Sequence, residues 1–124
     1  MRDLLAVAAG GAVGASARYL LAQAMATRGA GFVPWYTFIA NISGAFLLGV
    51  VVTLSVERGS LSEPWLLFLG VGVLGGYTTF STFSYETLSL FREGLYAQAA
   101  AYSLGSLALG IVAAGLGVAF ARAV

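Results

Sequence analysis

Asn41 stands near the middle of a long apolar run, one helical turn after Thr37. An amide at membrane depth needs partners, and its NH₂ group is able either to meet an anion or to join two helices. A second run carries Gly75-Gly76-Tyr77-Thr78-Thr79-Phe80-Ser81-Thr82-Phe83-Ser84 at its middle. Adjacent glycines and dense β-branched and hydroxyl residues weaken a helix, and backbone freed at that depth is tolerated only where protein buries it or it lines a cavity. The chemistry open to such a break is ion coordination. Freed carbonyls suit a cation, while freed N–H groups and the hydroxyls of Thr79, Ser81 and Thr82 suit an anion. The same residues also read as an unbroken helix whose hydroxyls bond back to their own carbonyls.

Phe80 and Phe83 are three apart, on one face of whatever helix follows the break. Aromatic rings have a positive edge, so this pair reads as an anion-facing surface without a trapping charge, or as plain packing. In a fourth run Tyr102, Ser106 and Gly110 are spaced four apart, a stripe of hydroxyls that ends in a gap. A row of donors without charge suits an anion that must shed water and still leave. Arg18 and Glu86 are the ionisable residues well inside the apolar runs. Arg18 reads as a charge that concentrates anions at a vestibule, and Glu86 as its partner or a vestibule cap; both are also near enough to a span end to snorkel.

These residues need elements to hold them, and composition says which. The chain has 124 residues, 60% hydrophobic and 9% charged, with a mean hydropathy of +0.92. A soluble domain of this size carries ~25% charged residues, so the solvent for most of this chain is lipid. A spanning helix takes ~20 apolar residues. Runs of that length extend over about Leu4 to Met25, Val33 to Val56, Trp65 to Phe91 and Leu95 to Phe120. The connections are short, which predicts an all-α, up-down-up-down bundle of four transmembrane helices in a single domain spanning 1–124, with a break in the third helix. Pro34 and Pro64 sit where helices begin, and Trp35, Tyr36, Trp65 and Tyr96 where aromatic belts form. Arg2 with Ala15-Ser16-Ala17 imitates a secretory signal and its cleavage site. The runs that follow are equally apolar, so the simpler expectation is a first span that stays.

Small residues four apart, namely Gly10 and Gly14, Gly11 and Ala15, Ala40 and Gly44, Gly72 and Gly76, and Ser106 and Gly110, predict close helix contacts. Gly70-Val71-Gly72-Val73-Leu74-Gly75 matches a dinucleotide fingerprint in letters only, because it lies inside a span without a βαβ context. The absence of histidine, cysteine and lysine from the sequence removes the usual nucleophile activators and metal ligands, so an enzyme is not expected. Six scattered arginines form no basic stripe for nucleic acid. Alternating loops place Arg2, Arg58 and Arg122 on one side and Arg28 and Arg92 on the other. Three against two is almost no bias, which fits insertion in both orientations and an antiparallel homodimer as well as a weakly fixed single orientation.

The Gly10-Gly11 to Arg18-Tyr19 segment, Asn41-Ile42-Ser43-Gly44-Ala45-Phe46 and the Gly75 to Phe83 run occur in an order and spacing that resemble the Fluc/CrcB family of fluoride channels. The similarity covers nearly the whole chain. The resemblance implies a dual-topology homodimer in the plasma or inner membrane, with two pores each built from both chains. It implies a structural sodium ion at the dimer centre, held by main-chain carbonyls that here would be those of Gly75 and Thr78. On that basis a Cβ at Gly75 is expected to strain the break. The phenylalanine box would be Phe80 and Phe83, the pore-lining amide Asn41, and the polar track Tyr102 and Ser106, with Gly110 where relatives often carry a hydroxyl. The implied activity is passive export of cytoplasmic fluoride, which accumulates because neutral hydrogen fluoride crosses membranes and then ionises.

Readings from other classes compete. A proton-coupled exporter similar to the small multidrug resistance proteins needs an intramembrane acid, classically in the first span, which here has Arg18 and no acid past Asp3. A non-transporting membrane subunit is separated from a channel by flux from purified protein. An intramembrane hydrolase lacks a histidine to activate a serine.

Overall fold

The computed structural model describes residues 1–26 and 33–124. Arg28 and the rest of the first connection lie outside the described residues. Four helical segments are long and apolar enough to cross a membrane: Arg2–Ala26, Trp35–Glu57, Glu63–Arg92 and Tyr96–Ala123. The chain is a multi-pass membrane protein. We label Arg2–Ala26 α1 and Trp35–Glu57 α2; the latter is α-helical over Trp35–Val52 and closes in a π-helical turn over Thr53–Glu57. The third span is divided. Its first part, α3, covers 63–77 and widens to π-helix over Leu67–Leu74. Its second part, α4, is Phe80–Arg92, and the last span, α5, is Tyr96–Ala123.

Pro34 directly precedes α2, and Pro64 lies in the first turn of α3, where a missing N–H costs nothing. The turn from α4 to α5 is closed by the Leu95 N–H on the Leu90 carbonyl at 2.9 Å and the Gly94 N–H on the Phe91 carbonyl at 3.1 Å. Gly94 has φ +77° there, the left-handed conformation that a glycine adopts without a Cβ penalty.

Glycines set the helix contacts. Gly10 and Gly14 bring α1 onto α3 so closely that a Cβ at either would collide with the Phe68 or Val73 carbonyl, and a Cβ at Gly76 would meet the Gly11 carbonyl oxygen at 2.7 Å. The paired faces of Gly10 with Gly14 and Gly72 with Gly76 therefore meet each other. Gly44 faces the Thr78 side chain. The Ser106 and Gly110 face makes no such approach: the nearest neighbour to a Cβ at Gly110 is the Ile42 side chain at 3.9 Å. Contact between α2 and α5 instead runs through Gly49 against the Ala114 carbonyl and Gly117 against the Phe46 carbonyl.

At the end of the bundle that holds the C-terminus, the Arg58 guanidinium donates from Nη1 to the carbonyls of Ala121 at 3.1 Å and Arg122 at 3.2 Å, capping α5. Arg122 pairs bidentately with Glu57, both bonds at 2.8 Å. Arg58 and Arg122 thus share one side, as loop alternation requires. Trp35, Trp65 and Tyr96 lie exposed at span ends. Tyr36 does not join that belt, because its hydroxyl is turned inward to Glu86. Leu4, Leu20, Leu104, Leu107 and Ile111 are all more than 60% exposed on the chain, surface that only lipid or more protein can cover.

Candidate functional site

The third span breaks at Thr78 and Thr79, whose backbone is extended (φ −80°, ψ 157° and φ −154°, ψ 116°). Gly75 and Gly76 precede the break and are still helical. The glycines therefore do not form the break itself. Gly76 serves close packing on α1, and Gly75, with φ −63°, has nothing within 4 Å of where a Cβ would sit. The expectation that a Cβ at Gly75 strains the break fails within one chain, since its conformation is one that any L residue adopts.

Local chemistry stops one helix and starts the next. Leu74 offers its carbonyl to both the N–H and the Oγ1 of Thr78, each at 2.9 Å. Thr79 is the N-cap of α4, its Oγ1 accepting the Thr82 N–H at 3.2 Å. Thr79 Oγ1 also lies 3.0 Å from the Thr82 hydroxyl and 3.3 Å from that of Ser81. Asn41 then takes Thr79 from the side, its Oδ1 accepting the Thr79 N–H at 2.8 Å and its Nδ2 donating to the Thr79 carbonyl at 3.1 Å. Ser43 Oγ lies 3.2 Å from the Tyr77 hydroxyl, so α2 grips both sides of the break. Arg18 Nε donates to the Gly76 carbonyl at 3.2 Å. Further along, the Ser84 and Thr87 hydroxyls bond back to the Phe80 and Phe83 carbonyls, both at 2.9 Å. The hydroxyl run therefore contains both arrangements its composition allows: capping at the break and back-bonding inside α4.

A groove of about 330 Å³ lies against this break, lined by Asn41, Gly44, Gly75, Thr78, Thr79 and Phe80 among others. Phe80 is 79% exposed there. Phe83, half-buried, sits 5.9 Å from the Phe80 ring and 5.3 Å from that of Tyr102, so the aromatic pair continues into a third ring.

Glu86 is the centre of the second polar cluster. Oε1 accepts from the Tyr36 hydroxyl at 2.7 Å and from Thr37 Oγ1 at 2.8 Å, and Oε2 accepts from the Tyr102 hydroxyl at 2.7 Å. Thr37 and Tyr102 are buried, at 0% and 4% exposure. This corrects the picture of a charge-free donor row. Of its two hydroxyls, that of Tyr102 is committed to a carboxylate, alongside Tyr36 and Thr37 of α2, since an acid half-buried within a span needs donors. Glu86 is not paired with Arg18, which is spent on the break. Ser106 Oγ is buried and has no hydrogen-bond partner among the described residues. Tyr36 was the member that pattern reading did not single out for this site; its signal is position, one residue before Thr37.

The family described as "CrcB-like protein, Camphor Resistance (CrcB)" matches residues 5–118. The chain belongs to the CrcB family. Among similar CrcB proteins is one from Phenylobacterium zucineum, 50% identical over 126 residues that cover 100% of this chain and 98% of that protein. Another, from Thermus thermophilus, is 51% identical, covering 94% of this chain and 93% of its own. A third, from Sphingopyxis alaskensis, is 45% identical over 98% of this chain and 97% of its own. Each of these relatives bears the name "Fluoride-specific ion channel FluC".

The donor set that would hold a sodium ion in this CrcB chain is testable by hydrogen-bond accounting. In a continuous helix the Gly75 carbonyl accepts from the Thr79 N–H and the Thr78 carbonyl from the Thr82 N–H. Here the Thr79 N–H goes to Asn41 and the Thr82 N–H to the Thr79 hydroxyl. Gly75 and Thr78 are thus carbonyls whose helical donors are diverted, and both line the groove. Neutral oxygens of this kind fit a hard monovalent cation.

Proposed function

We propose that this chain is a fluoride-selective passive channel that lets cytoplasmic fluoride leave across the plasma or inner membrane and so confers fluoride resistance. The full-length identity of about one residue in two with proteins of that name carries the reading. The geometry supports it. The Ser106 hydroxyl is a buried donor without a protein partner among the described residues, and the Asn41 amide retains a second N–H beyond the one given to Thr79. Phe80 and Phe83 extend these donors with ring edges. Such groups replace an anion's hydration without a full charge to trap it.

In this reading two chains assemble antiparallel over the groove at the break and form two pores. Gly75 and Thr78 carbonyls from both copies would hold one sodium ion. When bound, that ion neutralises carbonyls that would otherwise repel one another and favours an anion in the flanking pores. Arg18, held at the break by its Nε, would turn the rest of its charge toward a vestibule, and Glu86 orders the Tyr36, Thr37 and Tyr102 hydroxyls beside the path. The test is fluoride and chloride efflux, measured side by side from liposomes holding the purified protein. Rapid fluoride efflux with chloride retained supports the reading; equal efflux, or none, removes it.

A further inference from the structure

A continuous third span would carry four backbone bonds across the break, from the N–H groups of Thr79, Phe80, Ser81 and Thr82 to the carbonyls of Gly75, Gly76, Tyr77 and Thr78. Two of the groups freed by their loss are satisfied instead by side chains from different helices. Asn41 of α2 holds the Thr79 N–H at 2.8 Å, and Arg18 of α1 holds the Gly76 carbonyl at 3.2 Å. We propose that Arg18 is a positioning residue that stabilises the broken third span by donating to the Gly76 carbonyl, which the break leaves without its helical donor.

The packing supplies the reach. Gly76 lies so close to α1 that a Cβ on it would meet Gly11 O at 2.7 Å and Ala15 N at 3.1 Å, so α1 is fixed against the end of α3 one turn before Arg18. The carbonyl end of a helix is the negative end of its dipole, where a guanidinium is favoured. Glu86, the other ionisable group within a span at this level, is occupied by three hydroxyls rather than by Arg18. The inference rests on backbone geometry and does not depend on which ion crosses.

A side-chain comparison separates a capping donor from a mere charge. The Gln Nε2 stands the same number of bonds from the backbone as Arg Nε, so Arg18→Gln keeps the donor and removes the charge. Arg18→Lys keeps a charge but has carbon at that position, and Arg18→Met has neither. The readout is amide hydrogen exchange at Phe80 in the full-length protein in lipid nanodiscs. In the broken form the Phe80 N–H stands in the first turn of α4, where a helix offers no intrahelical acceptor. Closure onto Gly76 slows its exchange about tenfold, the equilibrium factor of one hydrogen bond. The expected result is slowed Phe80 exchange in the Lys and Met variants and the wild-type rate in the Gln variant. Equal rates in the Gln and Lys variants, or slowing in Gln alone, overturn the proposal. If the Met variant unfolds, exchange accelerates throughout α4, and the Gln and Lys pair still decides.

Discussion

Asn41 and Thr79 exchange two hydrogen bonds, with the Thr79 N–H on Oδ1 at 2.8 Å and Nδ2 on the Thr79 carbonyl at 3.1 Å. One side chain thereby satisfies both backbone groups of an extended residue that pairs with no strand among the described residues, at a depth where lipid offers no hydrogen bonds.

Asn41→Ala removes both bonds and is expected to destabilise the fold by about 1–3 kcal/mol and to abolish most fluoride efflux. Asn41→Asp keeps the acceptor but loses the donor, and also fails to conduct. Unfolding in detergent and liposome efflux measure the two effects; a fully active Asn41→Ala protein removes the amide from both roles.

Gly14 of α1, packed on α3, and Gly75 of α3 are expected to behave oppositely. Gly14→Ala drives a Cβ into the Val73 carbonyl and should cost about 1–3 kcal/mol of stability. Gly75→Ala has open space and a helical φ within the chain, so the fold stays intact and any loss appears only in assembly. Unfolding and cross-linking of the two variants check this. Equal destabilisation of both would mean that Gly75 packs inside the chain.

Tyr102→Phe deletes one of the three donors on Glu86 while its ring remains against Phe83, 5.3 Å between centroids. A loss of about 1 kcal/mol and slower efflux are expected, with Glu86→Gln larger because the amide opposes hydroxyls with an N–H. A Glu86→Gln protein as stable and active as the wild type would show that the cluster is passive.

Much of this was readable from residue types. Hydropathy marks the spans, because lipid demands about 20 apolar residues and little else does. The break was legible as a region, since hydroxyl and glycine density signals weak helix. Its placement at Thr78 and Thr79 was not, because it depends on Asn41, 38 residues away, taking Thr79 from the side. Arg18 and Glu86 were legible as ionisable residues within spans, but which carbonyls and hydroxyls they meet is decided by helix rotation, a tertiary quantity. The Ser106 and Gly110 stripe misled as a helix contact because spacing reports a small face without saying what covers it.

The sodium proposal is tested by exchange. After prolonged replacement of sodium by a large organic cation, fluoride efflux is expected to fall and to return when sodium is restored. Thr78→Ser should leave this behaviour nearly unchanged, because the main-chain oxygen is the donor. Undiminished efflux with no sodium remaining in the protein would contradict a structural ion.

The reversal potential of currents through the purified protein in a planar bilayer tests the central claim most directly, under separate gradients of fluoride, chloride and protons. A passive fluoride channel predicts a reversal at the fluoride equilibrium potential, about 59 mV for a tenfold gradient, unmoved by chloride or pH. A reversal that follows chloride, or one that shifts with the proton gradient as a coupled exporter requires, would contradict the account.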